Sequence, residues 1–391
     1  MALTETPCRI LHLILDDPKF VGLAIRFFDS SHFTNSWVRI SEDRKPVDLS
    51  PTTEIQHLVV HDYHDNVVVQ GQLHDMATRH DIVMFHFLVP NSLGIVRDLA
   101  KRTTVVIQYW GGDYSHRLIP NEQIVLPLTA SYIHSKSFPF LGFKRMLFFI
   151  KRRLKNMLST GTFSLLPELR YAHAYMTLLP EENWNFPIKT KCKHLPARIV
   201  YIDIDKPCEK HQMESPTTYR VLLGNSATST NNHLDIIDDL AAIKPQILEV
   251  ILPLNYGDSK YGDHIQKEYE AKFGSIARPL RTFIDSDNYD VLLNQVDIVI
   301  MNQLRQQALG NIVRALSQGK TVYLHPQGVN YRHFVTAGIH VKSTATLRQG
   351  MALITHDQAQ DNMKLVRQLW DIHLAQEVLH KSLTKLTRNH D

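Results

Sequence analysis

The sequence predicts an α/β protein made of two Rossmann-like parallel-sheet domains in series. Three observations carry this. At 391 residues the chain is about two and a half typical domains long. Its first half alternates short apolar runs with amphipathic stretches, the pattern of a parallel sheet covered on both faces. That alternation stops at a polar, proline-bearing stretch and then begins again.

The first apolar run, Cys8–Leu15 (CRILHLIL), reads as a buried strand. The turn Asp16-Asp17-Pro18 leads into a helix over 20–28. Strands are expected at 37–40, 58–61, 82–88 and 104–109, with a helix over 92–101 between the last two. Gly-x-Gly-x-x-Gly does not occur, so the usual dinucleotide fingerprint is absent. Residues 204–218 read as a linker between a first domain, 1–203, and a second, 219–391. Strands are then expected at 219–223, 247–254, 280–284, 297–301 and 321–324. Helices start near His233, run up to Tyr269, and span 306–318. Asn362–Leu386 has amphipathic spacing and closes the chain as one helix, inside the second domain or crossing back to the first.

Composition narrows the function classes. Apolar residues are 43% and charged residues 21%, which suits a folded chain and excludes a disordered or fibrous one. No run of about eighteen uncharged apolar residues exists to span a bilayer. The N-terminal stretch lacks a basic leader and a small-residue cleavage site, so the chain is expected to stay in the cytoplasm. A net charge of +4 does not demand nucleic acid, and none is expected as a partner. The three cysteines, Cys8, Cys192 and Cys208, form no zinc spacing and fit a reducing compartment.

Two motifs are decoys. Gly319-Lys320-Thr321 looks like the end of a P-loop, but Arg314 stands where its first glycine belongs, and helix precedes strand. His61-Asp62-Tyr63-His64-Asp65 gathers ligand types without a distant third ligand. It reads as a solvated loop, and no metal is expected.

In open parallel sheets, ligands sit at the carboxyl ends of the strands. Three strand exits of the second half have suitable chemistry. Gly224-Asn225-Ser226 offers a tight turn, N–H groups and a hydroxyl to a phosphate, although the same residue types also cap helices. Tyr256-Gly257 adds an aromatic ring and a glycine. Arg305-Gln306-Gln307, followed by Gly310-Asn311, opens a helix with a guanidinium and amides that suit a diphosphate, or simply starts the helix. In the first half, Trp110-Gly111-Gly112-Asp113 ends a strand, and Asp113 is placed either for general-base work or for capping. Asp17 follows the first strand. His86 leaves a neighbouring strand and either faces the same edge or is a satisfied core residue.

The segment Phe138–Leu158 (FPFLGFKRMLFFIKRRLKNML) carries no acid. Lys144, Arg145, Lys151, Arg152, Arg153 and Lys155 alternate with apolar residues that include Phe140, Phe143, Phe148 and Phe149. A basic aromatic helix of this kind suits an anionic membrane surface; the competing reading is a core helix with a basic solvent face.

Together these motifs resemble the TDP-N-acetylfucosamine:lipid II N-acetylfucosaminyltransferase family, glycosyltransferase family 56. The resemblance runs through the helix Val21–Phe28, the strand and WGGD of Val105–Asp113, LLGNSATSTNNH, ILPLNYG, DNYDVLLNQVD and RQQALGN. Residues 115–200 align poorly. The family pattern has glycine where Ala308 stands and threonine where Asn311 stands. The resemblance implies a GT-B architecture, two Rossmann-like domains facing a cleft, with donor on the C-terminal domain and acceptor on the N-terminal one. It implies transfer from a TDP-sugar to a polyprenyl-diphosphate-linked saccharide in enterobacterial common antigen synthesis. The site would be peripheral, on the cytoplasmic face of the bacterial inner membrane, and would need no metal or other cofactor. Asn225, Ser226, Arg305 and Asn311 would offset the diphosphate charge. Asp113 would be the base if the anomeric centre inverts, or would orient the acceptor if it is retained. A nucleotide-sugar epimerase of the same fold and a non-catalytic nucleotide-sugar-binding subunit are the alternatives.

Overall fold

The computed structural model describes residues 7–15, 17–41, 55–88, 92–110, 124–137, 167–179, 181, 192–202, 204 and 217–388. Asp113, the segment Phe138–Leu158 and most of the expected linker lie outside these residues. The chain forms two compact units. The first comprises Met1–Leu118, Thr160–Tyr201 and Trp370–Asp391; the second comprises Ile119–Ser159 and Ile202–Leu369.

The first unit holds a seven-stranded sheet. Its strands are β1 (Cys8–Leu15), β2 (Phe33–Ser41), β3 (Ile55–Val59), β4 (Ile82–Phe85), β5 (Thr104–Gln108), β6 (Ala174–Met176) and β7 (Lys193–His194). Their order is β3-β2-β1-β4-β5-β6-β7, and neighbouring strands run parallel. Strands buried on both faces need apolar residues at successive positions rather than alternate ones. Ile10, Leu11, Leu13 and Ile14 meet this in β1, as do Val105, Val106 and Ile107 in β5. The helix Pro18–Phe28 follows β1, and Phe27 and Phe28 are buried.

The second unit holds β8 (Tyr219–Leu223), β9 (Ile247–Pro253), β10 (Ala277–Leu280), β11 (Ile298–Met301), β12 (Thr321–Leu324) and β13 (Lys342–Ser343). These six strands lie in the order β10-β9-β8-β11-β12-β13, again parallel. Val221, Leu223, Val250, Leu252 and Ile300 form its core with Tyr261, Ile265 and Tyr269 from the helix Ser259–Phe273.

Several expectations change. The strand expected at 280–284 lies earlier, at Ala277–Leu280, on the sheet edge, where half-exposed residues leave little apolar pattern to read. The strand expected at 58–61 ends at Val59, and the expected loop after it is the helix Val60–Asp65. Tyr63 explains that turn: its ring is buried and its hydroxyl donates to Asp98 at 3.3 Å. The closing helix is two helices, His356–Leu369 and Ile372–Thr387. Asp371 breaks the run, its carboxylate accepting from the Leu374 N–H at 2.8 Å as a new N-cap. The second of these helices packs in the first unit, where Gln376 donates to the Phe27 carbonyl at 2.6 Å. The P-loop decoy is also explained: Lys320 is buried and donates to the carbonyls of Asn294 and Val296.

Candidate functional site

In each sheet the chain leaves its first strand in one direction and later returns on the other side. The reversals fall between β1 and β4 and between β8 and β11. Helices from the two sides part there and leave a crevice at the carboxyl ends, the usual ligand position in such sheets. In the second unit, the β8 exit is Gly224-Asn225-Ser226 and the β11 exit runs from Asn302 to Ala308.

Gly224 has a φ of +70°, and a Cβ there would stand 2.6 Å from His233 Nε2. Both facts require glycine. Gly257, at the β9 exit, has a φ of +106°, and a Cβ there would meet the Ala227 carbonyl at 2.8 Å. This contact lets Ala227 N donate to the Tyr256 carbonyl and Asp258 N donate to the Ala227 carbonyl, joining the two exits.

Side-chain amides join the β11 exit to the same cluster. Asn225 donates to the Tyr256 hydroxyl at 2.9 Å. Its Oδ1 accepts from Gln307 Nε2 at 2.9 Å and from Gln303 Nε2 at 3.3 Å. Gln307 also donates to Thr228 Oγ1 and accepts from Thr230 Oγ1 at 2.6 Å. Asn231 donates to Ser226 and Thr228. Buried amides of this kind stay ordered because leaving one unpaired costs about 1–3 kcal/mol.

Of the residues expected at a donor, Asn225, Ser226 and Gln307 are thus bound to one another's loops. Their side chains shape the turn together with its backbone, where the Gly224 N–H donates to the Ile300 carbonyl at 2.9 Å and the Asn225 N–H to Asn231 Oδ1 at 3.2 Å. Tyr256 is exposed. Arg305 is half-buried beside them and donates to the Gln306 carbonyl at 2.9 Å. Gln306 itself is buried. Gly310 is exposed and Asn311 half-buried in the first turn of the helix Leu309–Ser317. Ala308, just before that helix, has a φ of +58°. This left-handed conformation explains why the family pattern has glycine there.

Thr228, Thr230, Asn231 and Gln303 also belong to the cluster, beyond the residues expected from the sequence. Their signal was the density of small polar residues directly after a buried strand. The helix expected from His233 starts instead at Ile237, after two 3-10 turns separated by Asn232 at a φ of +53°. His233 is fully buried, and burial pushes its imidazole down to about 3.

In the first unit, Asp17 is half-buried after β1. Trp110 is half-buried after β5, with its ring centroid 4.1 Å from that of Tyr201. His86 is buried and satisfied, which corrects the reading that it faces the open edge. Asp113 and the residues expected at a membrane surface, Phe140, Phe143, Lys144, Arg145, Phe148, Phe149, Lys151, Arg152 and Arg153, lie outside the described residues. Among the described residues no group of three His, Cys, Asp or Glu side chains is arranged to hold a metal ion. Among them, too, no helix is long and apolar enough to cross a membrane.

Two parallel-sheet α/β units of this build define the GT-B class of glycosyltransferases. The chain is similar to the Anabaena protein HepE, solved with UDP and glucose, over 97% of its own length and 100% of the other's, at a TM-score of 0.61 and 11% identity. It is similar to a Rickettsia africae glycosyltransferase over 98% and 97%, at a TM-score of 0.52 and 14% identity. AviGT4, a glycosyltransferase involved in avilamycin A biosynthesis, is similar over 98% of both chains, at a TM-score of 0.52 and 9% identity. No curated protein sequence matches the chain. Residues 132–363, more than half of the chain, match the 4-alpha-L-fucosyltransferase family, glycosyl transferase group 56. The chain belongs to that family, and it is a glycosyltransferase rather than an epimerase or a non-catalytic subunit.

Proposed function

We propose that this enzyme moves N-acetylfucosamine, an N-acetylated amino-deoxyhexose, from a TDP-sugar to a polyprenyl-diphosphate-linked saccharide, in surface polysaccharide synthesis of the enterobacterial common antigen type. The observation that carries this reading is membership of group 56 over a span that includes all three strand exits of the second unit. Similarity to HepE, solved with UDP and glucose, supports a nucleoside-diphosphate sugar as donor.

In this reading the second unit holds the donor. The turn Gly224-Asn225-Ser226, through the Ser226 N–H, and the first turn at Gly310 and Asn311 take the diphosphate, with Arg305 supplying positive charge. Tyr256 and Gly257 border the nucleotide, and Gln306 and Gln307 hold the turn. The first unit carries the acceptor at Asp17 and Trp110. Asp113 removes the proton of the attacking hydroxyl as its oxygen bonds to the anomeric carbon and TDP leaves. The basic aromatic segment 138–158 brings the enzyme to anionic lipid on the cytoplasmic face of the inner membrane, because a polyprenyl carrier cannot leave the bilayer.

The test incubates the full chain with TDP-N-acetylfucosamine and a polyprenyl-diphosphate saccharide in anionic vesicles. Mass spectrometry of the lipid should show the gain of one such sugar. Donor hydrolysis alone, or transfer only from a different nucleotide sugar, would overturn the reading.

A further inference from the structure

The exit of β12 carries polar groups that the donor turn does not use. Met301 of β11 pairs with Leu324 of β12, so Asn302 and His325 are the first residues beyond the two strand ends. The turn His325-Pro326-Gln327-Gly328 folds against the β11 exit. The Gly328 N–H donates to the His325 carbonyl at 2.8 Å. The Val329 N–H, which opens the helix Val329–Thr336, donates to the Leu304 carbonyl at 3.0 Å. A Cβ on Gly328 would stand 2.4 Å from the Gln303 carbonyl oxygen, so the two exits are in contact.

The position of the hydrogen on His325 is determined. The Gln327 N–H donates to His325 Nδ1 at 3.2 Å. Burial holds the imidazole below its ordinary value against the opposite pull of Asp235, so the ring is neutral at pH 7. A neutral imidazole has one hydrogen; Nδ1 accepts, so Nε2 carries it. His325 is half-buried, and among the described residues its Nε2–H has no acceptor.

Amide capacity is left over beside it. Asn231 Oδ1 takes the Asn225 N–H at 3.2 Å, and it accepts from Gln303 Nε2 at 2.7 Å. That orientation leaves Gln303 Oε1 buried, with no partner among the described residues. Asn330 Nδ2 donates to the Gln307 carbonyl at 2.8 Å, which leaves Asn330 Oδ1 in the same state. Gln306 holds the turn through its carbonyl, which accepts from Arg305. Its amide makes no hydrogen bond among the described residues, although the residue is only 5% exposed. Unpaired buried amides are costly, so a ligand that pairs several at once is favoured.

The mixture of groups selects the ligand. A diphosphate only accepts, so it suits neither the Gln303 nor the Asn330 oxygen. Hydroxyl and acetamido groups both donate and accept, and they match an imidazole N–H set beside amides.

We infer that His325 and Gln306 form the glycosyl subsite of the donor site: His325 donates through Nε2–H to an oxygen of the sugar, and the Gln306 amide pairs with its hydroxyl and acetamido groups. This rests on the reading of the second unit as the donor side and of the donor as an acetamido-sugar nucleotide. The subsite touches the sugar and not the nucleotide, so its loss should separate the two in binding.

Calorimetry on the full chain compares TDP with TDP-N-acetylfucosamine. His325→Ala and Gln306→Leu should each weaken the sugar nucleotide about fivefold or more and leave TDP within about twofold, because only the sugar meets these groups. His325→Gln keeps an N–H donor and should recover most of the loss. An unchanged affinity for the sugar nucleotide in folded His325→Ala overturns the proposal, as does an equal loss for both ligands. Wild-type protein labelled with 15N-histidine gives a reading without substitution. His325 should be a neutral Nε2–H tautomer at pH 7, and its Nε2 resonance should shift with TDP-N-acetylfucosamine but not with TDP. An Nδ1–H tautomer, or the same shift with both ligands, overturns the subsite. A wild-type enzyme that binds only another nucleotide sugar rejects the parent reading instead, and the same comparison of that compound with its bare nucleotide still decides the subsite.

Discussion

Asp235 caps a helix that begins more than a hundred residues before it: its carboxylate accepts from the Thr129 N–H at 3.0 Å and from the Thr129 hydroxyl at 2.6 Å. The Leu128 N–H donates to the other oxygen at 2.7 Å. Leu126 N adds a bond to Asn232 Oδ1 at 2.8 Å, and Tyr132 stacks on His264 with centroids 4.2 Å apart. The helix Pro127–Ser137 is therefore a part of the second unit, although it lies in sequence within the first half.

Asp235→Ala should destabilise the second unit by about 2–3 kcal/mol, because charge-assisted bonds to an N-terminus are lost together. Urea unfolding followed by circular dichroism measures it. A loss below about 0.5 kcal/mol would reduce the contact to an exposed pair.

Gly257→Ala combines a positive φ with a Cβ 2.8 Å from the Ala227 carbonyl. The strain and the overlap should each cost about 1–3 kcal/mol and separate the β8 and β9 exits. Calorimetry should show TDP affinity falling at least tenfold. Retained affinity would show that the exits act independently.

Acid should weaken both units. Burial holds His12 and His233 at about 3 in the folded chain, against about 6.5 when unfolded. Their contribution is whole above pH 6.5. Below it the unfolded state binds more protons, so stability falls towards pH 3 by at most about 1.4 kcal/mol per pH unit for each histidine. Urea midpoints at pH 5 and pH 7 read the slope, and His233→Gln should flatten it for the second unit. An equal slope in that variant assigns the effect elsewhere.

Arg305→Ala and Asp113→Asn should separate donor binding from chemistry. The first should weaken TDP binding by about 1.5–3 kcal/mol, the value of a charge-assisted bond. The second should leave TDP binding intact and slow turnover by about 10²-fold, because it deletes basicity while keeping size. Near-normal turnover of Asp113→Asn would return that residue to a capping role.

Replacing Lys151, Arg152 and Arg153 with Glu should release the enzyme from anionic liposomes, since each charge near the surface contributes about 1 kcal/mol. Activity on a long-chain acceptor should fall while a short soluble analogue still reacts. Wild-type sedimentation of the triple variant would mean that the segment is a core helix with a basic face.

The two parallel sheets are legible in the chain, because strands buried on both faces must be apolar at successive positions, as in CRILHLIL and ILEVILPL. The strand exits that carry Gly224, Tyr256 and Arg305 are legible as well, because glycine and polar residues interrupt those runs abruptly. Which residues meet across the chain emerges with the fold. The cap on Pro127–Ser137 comes from Asp235, the Trp110 ring lies against that of Tyr201, and the amides of Asn225, Gln303 and Gln307 meet across the β8 and β11 exits. The final helix, Ile372–Thr387, lies in the first unit through Gln376 and Phe27. Local periodicity records which face of an element is buried. It does not record the distant partner, because a hydrogen bond across about a hundred residues leaves no repeat in the chain.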